Sequence, residues 1–175
     1  MSVMVRKILF ICLAALVAFS CDKEDRKNTY ASQEAVIDRY VSSLSSDYTV
    51  VLNQGVPRVI VDQAPSGAAE LEKGDSLYIH YSGYVFSNGK GSLFATNETE
   101  VAQDNGFVTD GKPYGIKFGS SALIKGLALG LEGIREGEHC YIIFSARYGY
   151  GNQQMGSIPE MTPLFFEITA EKIVK

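Results

Sequence analysis

The chain has 175 residues, 46% of them hydrophobic and 21% charged, with a formal net charge of −4. This is ordinary globular composition, with room for one domain and an appendage. The acidic balance and the lack of a basic stripe argue against a nucleic-acid partner.

Residues 1–21 read as a bacterial lipoprotein signal peptide. Arg6 and Lys7 give a positive start, residues 8–19 form an apolar run too short to span a bilayer comfortably, and Ser20 is small. Leu16-Val17-Ala18-Phe19-Ser20-Cys21 resembles a lipobox, although Phe19 is bulky for its place. The expectation is cleavage before Cys21, lipidation of that cysteine, and membrane attachment through the lipid. That makes the protein an outer-membrane lipoprotein of the bacterial cell envelope, on its periplasmic or surface face. Cleavage removes Cys12 and acylation uses Cys21, so Cys140 remains without an intrachain disulfide partner. Cys140 alternates with Ile142 and Phe144, the pattern of a buried strand thiol.

Residues 22–47 are expected to be a charged tether followed by a short helix, and 48–175 the folded domain. Residues 22–31 are polar, which suits a flexible linker. Ser32 can cap a helix whose apolar stripe is Val36, Ile37, Tyr40, Val41 and Leu44, docked on the domain or on a second copy. From Tyr48 the period becomes that of strands: 49–52 and 59–61 flank Asn53-Gln54-Gly55, and Leu77, Ile79 and Tyr81 alternate with Tyr78 and His80. Asn88-Gly89 is a hairpin signal between 84–86 and 93–94. One helix is expected inside the domain, with Leu123, Ile124, Leu127, Leu131 and Ile134 on one face, intrinsically weakened by Gly126, Gly130 and Gly133. Residues 164–168 read as a terminal strand. The fold class is α+β: an antiparallel sheet, or half-barrel, wrapped around one short α-helix, preceded by an N-terminal helix.

Several motifs fail on spacing. Gly83 and Gly89-Lys90 do not make a Walker loop, and Gly126, Gly130 and Gly133 do not make a dinucleotide fingerprint. Two histidines, His80 and His139, on alternating strands argue against a metal centre. No cofactor is implied. Asn97-Glu98-Thr99 is a chance sequon. What is left is a set of aromatic and aliphatic residues with no nucleophile or acid–base pair.

Three strings give that set a meaning. They are Gly74-Asp75-Ser76-Leu77-Tyr78-Ile79-His80-Tyr81-Ser82-Gly83, then Lys117-Phe118-Gly119 with Leu123-Ile124-Lys125-Gly126-Leu127, then Phe144-Ser145-Ala146-Arg147-Tyr148-Gly149-Tyr150-Gly151. In this order they resemble FKBP-type peptidyl-prolyl cis-trans isomerases over roughly residues 71–173. The resemblance implies catalytic roles for Tyr81, Phe94, Ile124 (through its backbone N–H), Tyr150 and Phe166, and substrate contacts from Tyr114, Leu123, Leu127 and Ile158. It implies proline-containing polypeptides as substrates, here exported ones, and tacrolimus-like macrolides as ligands. Two positions depart from the family pattern: Ala95 replaces the aspartate that bonds the tyrosine at 81, and Leu127 replaces the tryptophan of the pocket floor. Both departures imply weakened catalysis, and they leave a non-catalytic peptide-binding or chaperone-like lipoprotein as the alternative. The segment 95–112 is expected to be a long flap made acidic by Glu98, Glu100, Asp104 and Asp110.

Overall fold

From Val3 to Leu44 the chain contains neither glycine nor proline, and it forms a single 42-residue helix, α1 (Val3–Leu44). The computed structural model describes residues 3–120 and 123–175, with side chains described from Lys23 onward. The expected flexible tether at 22–31 is therefore helical. Its lysines, glutamate and arginine are strong helix formers despite their polarity, and Thr29 Oγ1 donates to Asp25 O at 2.9 Å within the helix. Among the described residues no helix is long and apolar enough to cross a membrane. Two compact units result, Met1–Ser32 and Gln33–Lys175.

In the second unit, the stripe expected to dock on the domain or on another copy docks on the domain. Ile37 and Val41 pack with Val59, Phe86, Ile143 and Phe165, and the Tyr40 ring meets Phe86 edge-on at 5.4 Å between centroids. The sheet they cover is antiparallel and seven-stranded. Its strands are β1 (Thr49–Asn53), β2 (Val56–Asp62), β3 (Ser76–Phe86), β4 (Lys90–Thr96), β5 (Tyr114–Lys117), β6 (His139–Phe144) and β7 (Leu164–Val174), in the order β1-β2-β6-β7-β3-β4 with β5 also on β3. Asn88 and Gly89 both take positive φ, 53° and 138°, in the turn that joins β3 to β4, as the hairpin signal requires.

Period-two alternation divides this sheet between two cores. On one face Cys140, Ile142, Phe144, Leu164, Phe166 and Ile168 point to the main core; on the other Ile143 and Phe165 meet α1. Cys140 is fully buried, and burial pushes its thiol pKa far up, so it packs as an inert apolar group.

Two short helices complete the domain. The first, α2 (Thr99–Asn105), lies in the expected flap, where sequence reading places no helix; it closes on Gly106 in the left-handed region, with Phe107 N–H donating to Ala102 O at 2.8 Å. The second, α3 (Lys125–Gly130), is shorter than its apolar spacing suggests, because Leu131 and Ile134 are buried in the turns beyond it. Gly126 and Gly130 let the α3 backbone rest on β6: a Cβ added at these positions would lie 2.4 Å from Phe144 Cγ and 2.2 Å from Ile142 Cγ2. Buried Arg58 of β2 clamps the end of this helix. Its Nη1 donates to Gly130 O and Glu132 O, both at 2.7 Å, while its Nε lies 2.8 Å from Glu138 Oε1.

Gly130→Ala is expected to force apart α3 and β6 and to lower stability by about 1–3 kcal/mol, the usual cost of overpacking. Urea denaturation checks this, and an unshifted midpoint would contradict the close contact.

Candidate active site

The two halves of β3 share one edge between two partners, and the changeover between them builds the site's wall. Residues 76–79 pair with β5 and residues 82–86 with β4, leaving backbone groups between them without a strand neighbour. Asn97 supplies what is missing. Its Oδ1 accepts from Tyr81 N–H at 2.7 Å, and its Nδ2 donates to Ile79 O at 3.0 Å and to Lys112 O at 2.9 Å. The flap thus leaves and returns at points fixed to β3. Sequence reading sees Asn97 only as part of a chance sequon; its buried, fully used amide is no glycan acceptor, and it is a supporting residue of the site.

Between α3 and the inner face of the sheet lies a cavity of about 210 Å³. Its wall comprises Ile79 and Tyr81 of β3, Phe94 and Ala95 of β4, Tyr114 and Ile116 of β5, Phe166 and Ile168 of β7, Leu123, Ile124 and Leu127 at α3, and Tyr150. The Phe94 ring takes the space left by Gly83, where a Cβ would come within 2.7 Å of it. Phe94 meets Phe166 edge-on at 5.6 Å, and Phe166 stacks on Phe144 at 5.8 Å, so one wall belongs to an aromatic column fixed at both ends by glycine. Tyr81 meets Tyr114 edge-on at 6.1 Å.

Polar groups at the wall are few. Ile124 is the N-cap of α3, with φ −62° and ψ 147°, where a backbone N–H has no partner within its own helix. Tyr150 sits in the loop after β6, which is tied to α3 by Gly126 N–H donating to Tyr148 O at 2.8 Å. Burial raises the Tyr81 pKa, and the neighbouring phenols of Tyr114 and Tyr150 raise it further; Ala95 offers it only a methyl group. Among the described residues no acidic, basic, histidine or cysteine side chain lines the cavity. Both histidines point to the opposite face of the sheet. There His80 Nε2 lies 3.0 Å from Glu171, and His139 lies 3.0 Å from Asp62 and 3.3 Å from Glu167, partners that raise the His139 pKa against its burial. Among the described residues no cluster of three or more metal-ligating side chains forms.

Of the residues singled out from sequence, Tyr81, Phe94, Tyr114, Leu123, Ile124, Leu127, Tyr150 and Phe166 converge on this cavity. Ile158 does not. Its backbone pairs with Met155 through two 2.9 Å hydrogen bonds, and its side chain is buried in the main core, so it supports the loop from below. The side chain of Cys21 lies outside those described. Ile79, Ile116 and Ile168 join the wall although sequence reading did not mark them; the signal was their place two residues from Tyr81, Tyr114 and Phe166 on the same strand faces.

The model of the family FKBP-type peptidyl-prolyl cis-trans isomerase matches residues 67–171. The chain belongs to this family. Among FKBP-type relatives, FK506-binding protein 3 of Eremothecium gossypii is 32% identical over 120 residues, covering 69% of this chain and 25% of that protein. A peptidyl-prolyl cis-trans isomerase of Saccharomyces cerevisiae is 31% identical over 118 residues, covering 67% and 25%. The chain thus spans about a quarter of the length of the curated relatives it matches. Two solved structures share the FKBP-type fold. FkpA from Escherichia coli has a TM-score of 0.60 at 18% identity, with 99% of this chain and 74% of that one covered. The three FKBP domains of wheat FKBP73 give 0.61 at 16% identity, with 73% and 51% covered.

With the Tyr81 phenol held protonated beyond its ordinary range, and no carboxylate, imidazole, thiol, amine or guanidinium among the described residues of the wall, any exchange catalysed in this cavity is expected to be flat from about pH 6 to 9. A bell-shaped profile of kcat/KM centred near neutrality would contradict a cavity that works without proton transfer.

Proposed function

We propose that the chain is a peptidyl-prolyl cis-trans isomerase acting on exported, proline-containing polypeptides in the bacterial cell envelope, where lipid on Cys21 holds it as an outer-membrane lipoprotein. One observation carries the reading: a cavity walled by aromatic and aliphatic groups, with no charged side chain among the described residues, and with the N-cap residue Ile124 and the Tyr150 hydroxyl among its potential donors. Rotation about an Xaa–Pro bond is slow because it destroys amide resonance, taking tens to hundreds of seconds unaided. The twisted amide is less polar than the planar one. An apolar cavity therefore favours it over the ground state, and no nucleophile or proton carrier is required. Ile124 N–H and Tyr150 Oη hold the flanking carbonyls, while Phe94 and Phe166 seat the pyrrolidine ring. The same cavity would take a tacrolimus-like macrolide.

A non-catalytic peptide-binding or chaperone-like module is the second reading. Ala95 and Leu127 favour it, since the one leaves Tyr81 without a carboxylate partner and the other gives the cavity an aliphatic floor. A protease-coupled assay of a prolyl peptide separates the two readings. Catalysis supports the first, whereas peptide affinity without acceleration supports the second.

In that assay Tyr150→Phe is expected to reduce kcat/KM by the value of one neutral hydrogen bond, about 0.5–1.5 kcal/mol or roughly twofold to tenfold. An unchanged rate would remove Tyr150 from the site. For the anchor, Cys21→Ala is expected to abolish incorporation of labelled fatty acid and to release the protein from membranes. Labelling that survives the substitution would contradict lipidation at Cys21.

A further inference from the structure

Gln33 lies outside the stretch that matches the family, yet its side-chain amide touches both ends of the loop that carries Tyr150. Its Oε1 accepts from Ala146 N–H at 2.9 Å, and its Nε2 donates to Met161 O at 2.7 Å. Beside it, Glu34 Oε1 accepts from Ser145 Oγ at 3.1 Å and stands 3.9 Å from Arg147 Nη1. Residues 145–161 leave the end of β6 and return just before β7 with no helix or strand of their own. Within the loop, Gly151 N–H donates to Ala146 O at 2.9 Å and Met161 N–H to Gly151 O at 2.6 Å, so the pair that Gln33 bridges is the neck of the loop.

The neck depends on that amide. Ala146 is fully buried and Ser145 nearly so, and without Gln33 the Ala146 N–H becomes a buried donor with no partner. Long connections without secondary structure fluctuate unless their ends are held. Gln33 is itself held, because it shares a helix face with Ile37 and Val41 at four-residue spacing, and these two are buried against the outer face of the sheet.

We infer that Gln33 is a positioning residue for the prolyl site: by closing the neck of the 145–161 loop it fixes Tyr150 at the cavity rim, so that the docking of α1 on one face of the sheet sets the geometry of the site on the other. This inference rests on the isomerase reading, and its test separates the two. In the full chain, Gln33→Ala, Gln33→Glu and the exposed control Arg39→Ala are compared with wild type. The readouts are amide hydrogen exchange at Ala146, affinity for a short Ala-Pro peptide, kcat/KM for that peptide, and melting temperature.

Gln33→Ala is expected to speed Ala146 exchange at least tenfold. It should also weaken peptide affinity and kcat/KM together by roughly threefold to tenfold, the signature of a lost binding contact, in a protein that still melts cooperatively. Gln33→Glu keeps the acceptor and should restore Ala146 protection, with a smaller loss of affinity because its carboxylate cannot donate to Met161 O. Arg39→Ala should change none of these. The inference is overturned if the Ala146 amide stays protected in Gln33→Ala, or if it is exposed while affinity and kcat/KM keep their wild-type values. A wild-type chain that binds the peptide without accelerating its exchange sinks the isomerase reading, and Gln33 is then judged on affinity. One that does neither overturns both.

Discussion

At Gly126 and Gly130 no side chain separates α3 from β6, and the helix backbone lies against the Phe144 ring and the Ile142 methyl groups. Each glycine costs a helix of this length up to about 1 kcal/mol of propensity, so a six-residue segment with two of them has no stability of its own. What holds it is external. Arg58 takes the last carbonyls and is balanced by Glu138, while the first turn is tied through Gly126 N–H to the Tyr150 loop. The same contact sets the depth of the cavity. With Gly126 against Phe144, Phe144 under Phe166, Phe166 against Phe94 and Phe94 over Gly83, two glycines bracket a column of three aromatic rings that cannot move independently. A wider spacing at either glycine would take Ile124 N–H and Tyr150 out of register with the ring seat.

The two faces of the sheet are thereby joined. Phe166 faces the cavity and Phe165 faces α1, one residue apart on β7, so α1 packs on the back of a strand that supplies part of the cavity wall. That back face also carries Lys90, His139 and Glu167 in one network in which His139 and Lys90 lower the Glu167 pKa. The two imidazoles lie on the side of the sheet away from the site, which is why neither lines the cavity.

Much of this was legible in the sequence where it depended on local pattern. Alternation located every strand but β5, and Asn88-Gly89 the hairpin, because those features rest on spacing within a few residues, while the ordered strings around Tyr81, Ile124 and Tyr150 pointed to the cavity through their resemblance to the family. What escaped depended on distant partners. The helix at 99–105 has no side-chain cap and seven residues, too little for a periodic signal. The charged stretch 22–31 reads as linker by polarity but is rich in helix formers, and polarity alone does not separate the two. Asn97, Arg58 and Gln33 act through backbone groups that are 16, 72 and 113 residues away, and nothing in their neighbours announces it. Ile158 fits its motif position but turns into the core because the loop closes on Met155.

The central claim is that an apolar cavity of this geometry catalyses prolyl isomerisation without a charged group. Two-dimensional exchange NMR on an Ala-Pro peptide, with the full chain in catalytic amount, tests it most directly. The account requires faster cis–trans exchange, accompanied by peptide-induced shifts at Tyr81, Phe94, Ile124 and Tyr150. Shifts confined to those residues while the exchange rate stays at its uncatalysed value would contradict it, and would make the cavity a binding site alone.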